Sequence, residues 1–301
     1  APADPLHYFG QVPAHREART ERRVLDLGLE RSAGLRALCT QQPFKSFSVD
    51  LALYSLFSTL LATWLHRLTG AEQLRIGTPY HNRPTPTLRN TIGALIEIGP
   101  LALSVNADDS FATLYRRAQA AQLEGLRHAL PGITVAERNR AYDVLLNYVN
   151  VAFPFFAGLT PTVDWVHAGY GDRHNSLRLQ VHDFGATGRF RLLFDFNESV
   201  FTPEQRALVL RQFERVVDAL LVDPNRALRD VGLQTPAELQ TLVRDYNASA
   251  APYPSDRTVV QLFEAQVDAA PEAEAVRDGE RVLSYGELDG RANALAHDLR
   301  A

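Results

Sequence analysis

One run of residues places three chemically able side chains in a row. In Gly77-Thr78-Pro79-Tyr80-His81-Asn82-Arg83 a strand ends, and an imidazole, an amide and a guanidinium follow it. Such groups can move a proton, hold a polar chain or pair an anion. Loops that follow strand ends are common places for binding and catalysis. The same run also has a plain reading, in which Arg83 ties the loop to neighbouring carbonyls or a carboxylate and His81 faces solvent. A fourth group, Glu97, sits inside the apolar run 92–98. A carboxylate there is expected to be paired or to face a cavity. It reads either as the polar face of a strand or as a carboxylate lining a tunnel.

Other constellations are absent from the sequence. The 9 histidines are scattered, and no pair has metal-ligand spacing. There is no Gly-x-Ser-x-Gly, no phosphate-binding glycine loop ending in Lys-Ser/Thr, and no His-Glu-x-x-His. Gly169-Tyr170-Gly171 is a lone Gly-x-Gly, and Asp183-Phe184-Gly185 matches a kinase metal tripeptide without the rest of the kinase set. Both read as turns. The single cysteine, Cys39, forms no internal disulfide and no cysteine-based zinc site, which fits a reducing cytoplasm. No residue is assigned as catalytic and none as a metal ligand.

Bulk properties narrow the class further. Across 301 residues, 46% are apolar and 22% charged, as in ordinary globular chains, and the length suits two domains or one large one. The formal net charge is −4 with no basic run, which argues against nucleic acid. The most apolar stretch, 48–68, contains Asp50, several hydroxyls and His66, so it reads as a buried helix and not as a membrane span. The chain has no methionine, and the pattern at 291–301 is helical with no stop signal. The expectation is a piece of a longer polypeptide.

The elements that must position these groups follow from periodicity. Residues 1–18 read as an entering linker, 22–27 as a strand and 32–39 as a short helix. Helical spacing of Leu53, Leu56, Phe57, Leu60, Leu61, Trp64 and Leu65 predicts a buried helix over 48–68. A short strand, 74–78, is expected to stop at Pro79, and the run 92–98 and the strand 101–105 come next. A helix is predicted from Ser110 to about His128, and a strand over 144–151. Alternation at Leu177, Leu179, Val181 and at Phe190, Leu192, Phe194, Phe196 predicts a hairpin. Thr202-Pro203-Glu204-Gln205 is a capped helix start. Thr235-Pro236-Ala237-Glu238 repeats that start for a shorter helix, and the small, proline-bearing run 247–255 reads as a linker. Beyond it a helix, a tight hairpin at Asp278-Gly279 and another helix fill fewer than fifty residues, too few to bury a core alone.

Two stretches carry a family resemblance. Arg75-Ile76-Gly77-Thr78-Pro79 through Arg83, then Ile92-Gly93-Ala94-Leu95-Ile96-Glu97-Ile98-Gly99-Pro100-Leu101, resembles the carboxyl-terminal lobe of the condensation domains of nonribosomal peptide synthetases. The family pattern is a Gly-x-Pro-x-x-x-Arg loop, then Ile-Gly-x-x-x-Asn-x-x-Pro-Leu. The run 192–201 is similar to the family's strand before its last helix, so the resemblance covers roughly residues 6–235. The second stretch resembles the opening of an adenylation domain. It comprises Tyr246-Asn247, Tyr253-Pro254, the run 258–263, Leu283-Ser284-Tyr285-Gly286-Glu287-Leu288 and Arg291-Ala292-Asn293-Ala294-Leu295-Ala296.

The resemblance implies an α/β fold: a chloramphenicol-acetyltransferase-like lobe, a mixed β-sheet flanked by helices, plus a short helix-hairpin-helix adenylation-domain beginning. It implies three parts, the lobe over 1–235, a helix and interdomain linker over 236–254, and the adenylation fragment over 255–301. The implied reaction joins a carrier- or CoA-bound acyl donor to an aminoacyl-carrier acceptor by an amide bond. No cofactor is bound directly; phosphopantetheine is delivered by partner peptidyl or acyl carrier domains. The other implied partners are the amino-terminal condensation lobe and the rest of the adenylation domain, with no nucleic acid and no membrane, in the cytoplasm. The family's His-His-x-x-x-Asp-Gly motif is not in this sequence, and it belongs to the other lobe. The chain is therefore expected to be inactive alone.

This sequence departs from the pattern at two places. His81-Asn82-Arg83 stands where the family often has Gly before the arginine, and Glu97 stands where it usually has Asn. The resemblance makes His81, Asn82 and Glu97 candidates for the substrate tunnel, with Arg83 holding the loop. The departures point to a starter-type domain that takes a fatty acyl group. The alternatives are a non-catalytic carrier-docking lobe and a free-standing acyltransferase of the same superfold.

Overall fold

The computed structural model describes residues 6–10, 17–83, 85–128, 142–151, 158–159 and 163–300. Most of the entering linker read over 1–18 lies outside the described residues. The chain divides into two compact units, Ala1–Ala237 and Glu238–Ala301.

The first unit is built on a six-stranded mixed sheet. Its strands are β1 (Thr20–Asp26), β2 (Gln73–Tyr80), β3 (Glu97–Ser104), β4 (Val144–Val149), β5 (Leu177–His182) and β6 (Arg191–Asn197). They lie in the order β1-β6-β5-β4-β2-β3. The pairs β2–β4 and β4–β5 are parallel, and the others are antiparallel. The unit's helices are α1 (Gly28–Leu38), α2 (Val49–Thr69), a short α3 (Pro86–Asn90), α4 (Phe111–His128) and α5 (Pro203–Val222).

Helix α2 is the pillar of the core. Ser48 caps its start by accepting from the Leu51 N–H, and Gly70 closes its end at φ 72°. That left-handed conformation costs a glycine little. Every residue from Ala52 to His66 is buried, because α1, α4, α5 and β2 all pack against this one helix. Its Trp64 Nε1–H donates to Gln212 Oε1 on α5 at 3.1 Å. A buried indole N–H needs such a partner. Helix α5 starts with the capping box that its sequence predicts, Thr202 and Gln205 each bonding the other's backbone.

One expectation is corrected. Strand β2 runs through Pro79 to Tyr80 instead of stopping at residue 78. The reason lies in the ladder: β4 pairs with β2 only at Ile76 and Gly77, so no β4 partner meets Pro79, which cannot donate. The run 92–98 is not a buried apolar segment. Ile92 is fully exposed and Ile96 is 54% exposed, and the strand starts only at Glu97. From there burial alternates, with Gly99, Leu101 and Leu103 inside and Pro100, Ala102 and Ser104 outside. The exposed part of this segment belongs to the loop that Arg83 organises.

Away from the helices, the sheet carries a polar network around the buried Asp195. Arg22 grips it with Nε at 2.6 Å and Nη2 at 2.9 Å, Arg178 Nε donates at 3.0 Å and Gln180 Nε2 at 2.8 Å. Arg22 also donates to the Trp165 carbonyl at 2.7 Å, which ties the chain at 163–168 to the sheet. Between β5 and β6, Asp183 accepts from the N–H of Thr187 and of Gly188, with Gly188 at φ 80°. The tripeptide Asp183-Phe184-Gly185 is thus turn chemistry.

The second unit contains the end of α6 (Pro236–Gln240), one π-helical turn over Thr241–Asp245, α7 (Val259–Ala269), the hairpin β7 (Glu274–Asp278) and β8 (Arg281–Ser284), and α8 (Tyr285–Arg300). Thr258 and Gln261 form a capping box on α7, and Ser284 and Glu287 exchange backbone bonds at the start of α8. None of its described residues is fully buried, as its size leads one to expect. No helix among the described residues is long and apolar enough to cross a membrane.

Candidate functional site

The parallel strands β2 and β4 end side by side, and a cleft of about 520 Å³ opens there. In α/β sheets the carboxyl ends of parallel strands are the usual place for a ligand crevice. Strand β2 and the loop after it contribute Thr78 through Arg83, β4 contributes Tyr148, and Asn150 follows just past its end. Helix α2 lends Asp50, Leu51 and Tyr54 from its first turns, and α4 lends Gln122 and Leu126.

His81, Asn82 and Arg83 all line this cleft. Their surroundings differ. His81 is exposed, while Asn82 is buried, with a left-handed backbone at φ 51°. Neither its Oδ1 nor its Nδ2 has a hydrogen-bond partner. Arg83 is fully engaged by its own loop: it donates to the carbonyls of Leu88, Thr91 at 2.7 Å and Gly93 at 2.7 Å. Glu97 is half-buried and pairs with Tyr80 across β2 and β3, next to the cleft but not among the residues that line it.

The rest of the wall combines phenol, hydroxyl and amide groups with the Asp50 carboxylate. Tyr54 Oη is bonded to Thr78 Oγ1, and burial pushes the Tyr54 hydroxyl above its usual range. Burial also raises the Tyr80 hydroxyl. Tyr148 donates to Asp50 Oδ1 at 3.3 Å, and its hydroxyl is raised by burial and by the Asp50 charge. All three phenols therefore stay protonated at neutral pH. The Tyr80 ring lies against Gly125 of α4, where an added Cβ would stand 2.2 Å from the phenol oxygen. Gln122 is buried, with Oε1 2.6 Å from Ser55 Oγ. The described residues hold no cluster of three His, Cys, Asp or Glu placed to bind a metal.

Sequence reading missed Asp50, Tyr54, Gln122 and Tyr148. Of these, Tyr54 and Gln122 were signalled only as polar-tipped groups on otherwise core-facing helices. Their common destination depends on how α2 and α4 pack. What this arrangement can do is hold and orient a polar chain laid along the strand ends.

Known proteins place the arrangement in a family. The family described as "Condensation domain" matches residues 13–243. Surfactin synthase subunit 2 of Bacillus subtilis (strain 168) is 25% identical over 96% of this chain, which spans only 8% of that protein. The solved four-domain nonribosomal peptide synthetase holo-AB3403, bound to AMP and glycine, aligns with 100% of this chain and 24% of its own, at a TM-score of 0.71 and 16% identity. The first condensation domain of the calcium-dependent antibiotic synthetase, solved with a substrate analogue, covers 77% of this chain and 51% of its own, at a TM-score of 0.59 and 20% identity. With the family pattern running through the strand-end loop, the cleft and all six strands of the sheet, the chain belongs to the condensation-domain family of nonribosomal peptide synthetases.

Proposed function

We propose that this chain supplies one lobe of a condensation domain that forms an amide bond between a carrier- or CoA-bound acyl donor and an aminoacyl-carrier acceptor. The supporting observation is the alignment with about half, 51%, of a solved condensation domain, with the cleft at the aligned lobe's strand ends. In this reading the cleft is part of the substrate passage. His81, Asn82 and Glu97 face or adjoin it, and Arg83 holds its loop. The phosphopantetheine arms come with carrier domains, and the phenol, hydroxyl and amide groups of the wall suit an amide-bearing arm. The histidine that handles the acceptor amine belongs to the other lobe.

Two finer readings accompany this one. Residues 255–301 begin an adenylation domain. In support, the four-domain synthetase covers the whole chain, whereas the isolated condensation domain covers 77% and the family match ends at residue 243. The donor is a fatty acyl group of starter type, on the strength of Glu97 in the usual Asn position.

The test is a condensation assay on the intact synthetase with an acyl donor and an aminoacyl-loaded carrier, beside the isolated 301 residues. The intact protein is expected to form the amide and the isolated chain to form none, since proximity requires both lobes. Turnover by the isolated chain, or none by a folded and loaded parent, overturns the reading.

A further inference from the structure

Three phenols line the cleft, and one is held differently from the others. Tyr54 is bonded to Thr78 and Tyr148 to Asp50 through their hydroxyls. No hydrogen bond to the Tyr80 hydroxyl is found among the described residues, and burial alone raises it. What the fold fits is the ring. Tyr80 ends β2, is 8% exposed and has a glycine at each edge of its ring. A Cβ added at Gly99 on β3 would stand 3.0 Å from Cε2. One added at Gly125 on α4 would stand 2.2 Å from the hydroxyl oxygen and 3.3 Å from Cε1, on the opposite edge. Neither glycine has a positive φ, so backbone conformation does not call for them. A glycine inside a helix is also a weaker helix former than alanine. Close approach of the Tyr80 ring is the reason the structure offers for Gly125.

Resting on the reading of the cleft as part of the substrate passage, we infer that Tyr80 sets the depth of the cleft, and so the size of the apolar substituent that a substrate can place there. The ring stands between the open volume of about 520 Å³ and the backbone of β3 and α4. Without the ring, the space down to Gly99 and Gly125 joins the cleft. With a methyl group on residue 125 the phenol must move. Gly99 closes its other edge, so the cleft is the side left open to it. The two changes therefore act in opposite senses on one dimension. Space fitted to an aromatic ring takes hydrocarbon, whose transfer from water is favourable. A polar substituent there would give up water without a partner in return. The apolar group is either the tail of the acyl donor or the side chain of the aminoacyl acceptor, and the two are separable by experiment.

Two substrate series on the intact synthetase provide the test. Acetyl, hexanoyl and decanoyl thioesters are offered with one acceptor, and glycyl-, leucyl- and tryptophanyl-loaded carriers with one donor. Tyr80→Ala is expected to shift kcat/KM towards the larger members of the series whose group enters, by about tenfold or more, and Gly125→Ala to shift the same series towards the smaller. Tyr80→Phe keeps the ring and should keep the wild-type preference. Tyr80→Leu replaces the alanine variant if that one folds poorly. Unchanged preference in both variants, or shifts in the same direction, overturns the inference. So does a uniform fall across both series with a lowered melting temperature, which would mark Tyr80 as core packing alone. A crystal structure of the full chain carrying Gly125→Ala gives a readout that needs no turnover. The phenol is expected to be displaced into the cleft, and a phenol left in place with α4 moved instead overturns the inference. A parent that forms no amide bond defeats the functional reading and leaves that structure to decide the depth of the cleft. A competent parent whose variants keep its preference defeats this inference alone.

Discussion

Protonation of His182 should control the acid stability of the fold. This residue ends β5 and is 3% exposed, with Nδ1 unpartnered. Its ring stacks on Phe184 with centroids 3.9 Å apart and planes 20° from parallel. The imidazole is lowered from 6.5 to about 4, first by burial and then by the charges of Arg191 and Arg22, which outweigh the opposing pull of Asp183 and Asp164. The folded chain thus keeps His182 neutral where the unfolded chain binds a proton. Its contribution is fully present above pH 6.5 and is lost as pH falls towards 4. Between pH 7 and pH 5 the loss amounts to about 2 kcal/mol, or a melting shift of about 4–8 °C for a unit of this size. Asp195 works in a lower window: burial would raise its carboxyl, but the Arg22 hydrogen bonds and the Arg178 charge hold it below 3.8, so its contribution is lost only in stronger acid. Calorimetry at pH 7, 6 and 5 on the wild type and His182→Gln isolates the effect. The wild type should lose stability over that range faster than the variant, and equal pH slopes in the two proteins would refute the reasoning.

Three other substitutions probe the site and its supports. Arg83→Ala removes hydrogen bonds to three carbonyls of its own loop, partly open to water. It should cost about 1–3 kcal/mol in thermal unfolding, with no rescue by lysine, whose single ammonium cannot span three acceptors; a variant as stable as the wild type but altered in acyl preference would reverse this assignment. Glu97→Gln should leave melting unchanged and alter turnover of the intact synthetase, and unchanged kinetics would remove Glu97 from the site. Asp195→Asn leaves the Arg22 guanidinium buried without its counter-charge, so a loss of about 3 kcal/mol or more in denaturant unfolding is expected, and a loss below 1 kcal/mol would show the network to be dispensable.

Local patterns announced the elements well where one physical rule dominated. The caps at Thr202 and Thr258, the all-round apolar α2 and the alternating hairpin β5–β6 are each written in a few adjacent residues. The failures share another cause. Pro79 was read as a stop because a proline cannot donate, yet whether a ladder bond is demanded there depends on β4, more than sixty residues away. The apolar type of Ile92 and Ile96 does not tell that they are exposed, which follows from the loop that Arg83 bonds. The site divides in the same way. His81, Asn82 and Arg83 were visible as a run, but Tyr54, Gln122 and Tyr148 join them only through the packing of α2, α4 and β4.

That division bears on what the cleft is for. Its buried phenols are held protonated, its guanidinium is committed to its own loop, and its buried Gln122 is engaged by Ser55. Such groups orient a chain by donating and accepting hydrogen bonds without exchanging protons with it. Orientation alone can supply a large part of the acceleration of a bimolecular amide synthesis, because holding two reactants in line replaces their search with a fixed approach. In the reading proposed here, the proton-handling histidine and the orienting wall sit on different lobes. Substitutions in this chain should then weaken substrate placement, seen in KM and in the tolerance for shortened arms, before they change the pH profile of turnover. A shift of that profile by a cleft substitution such as Asn82→Gly would place proton transfer on this lobe and break the division.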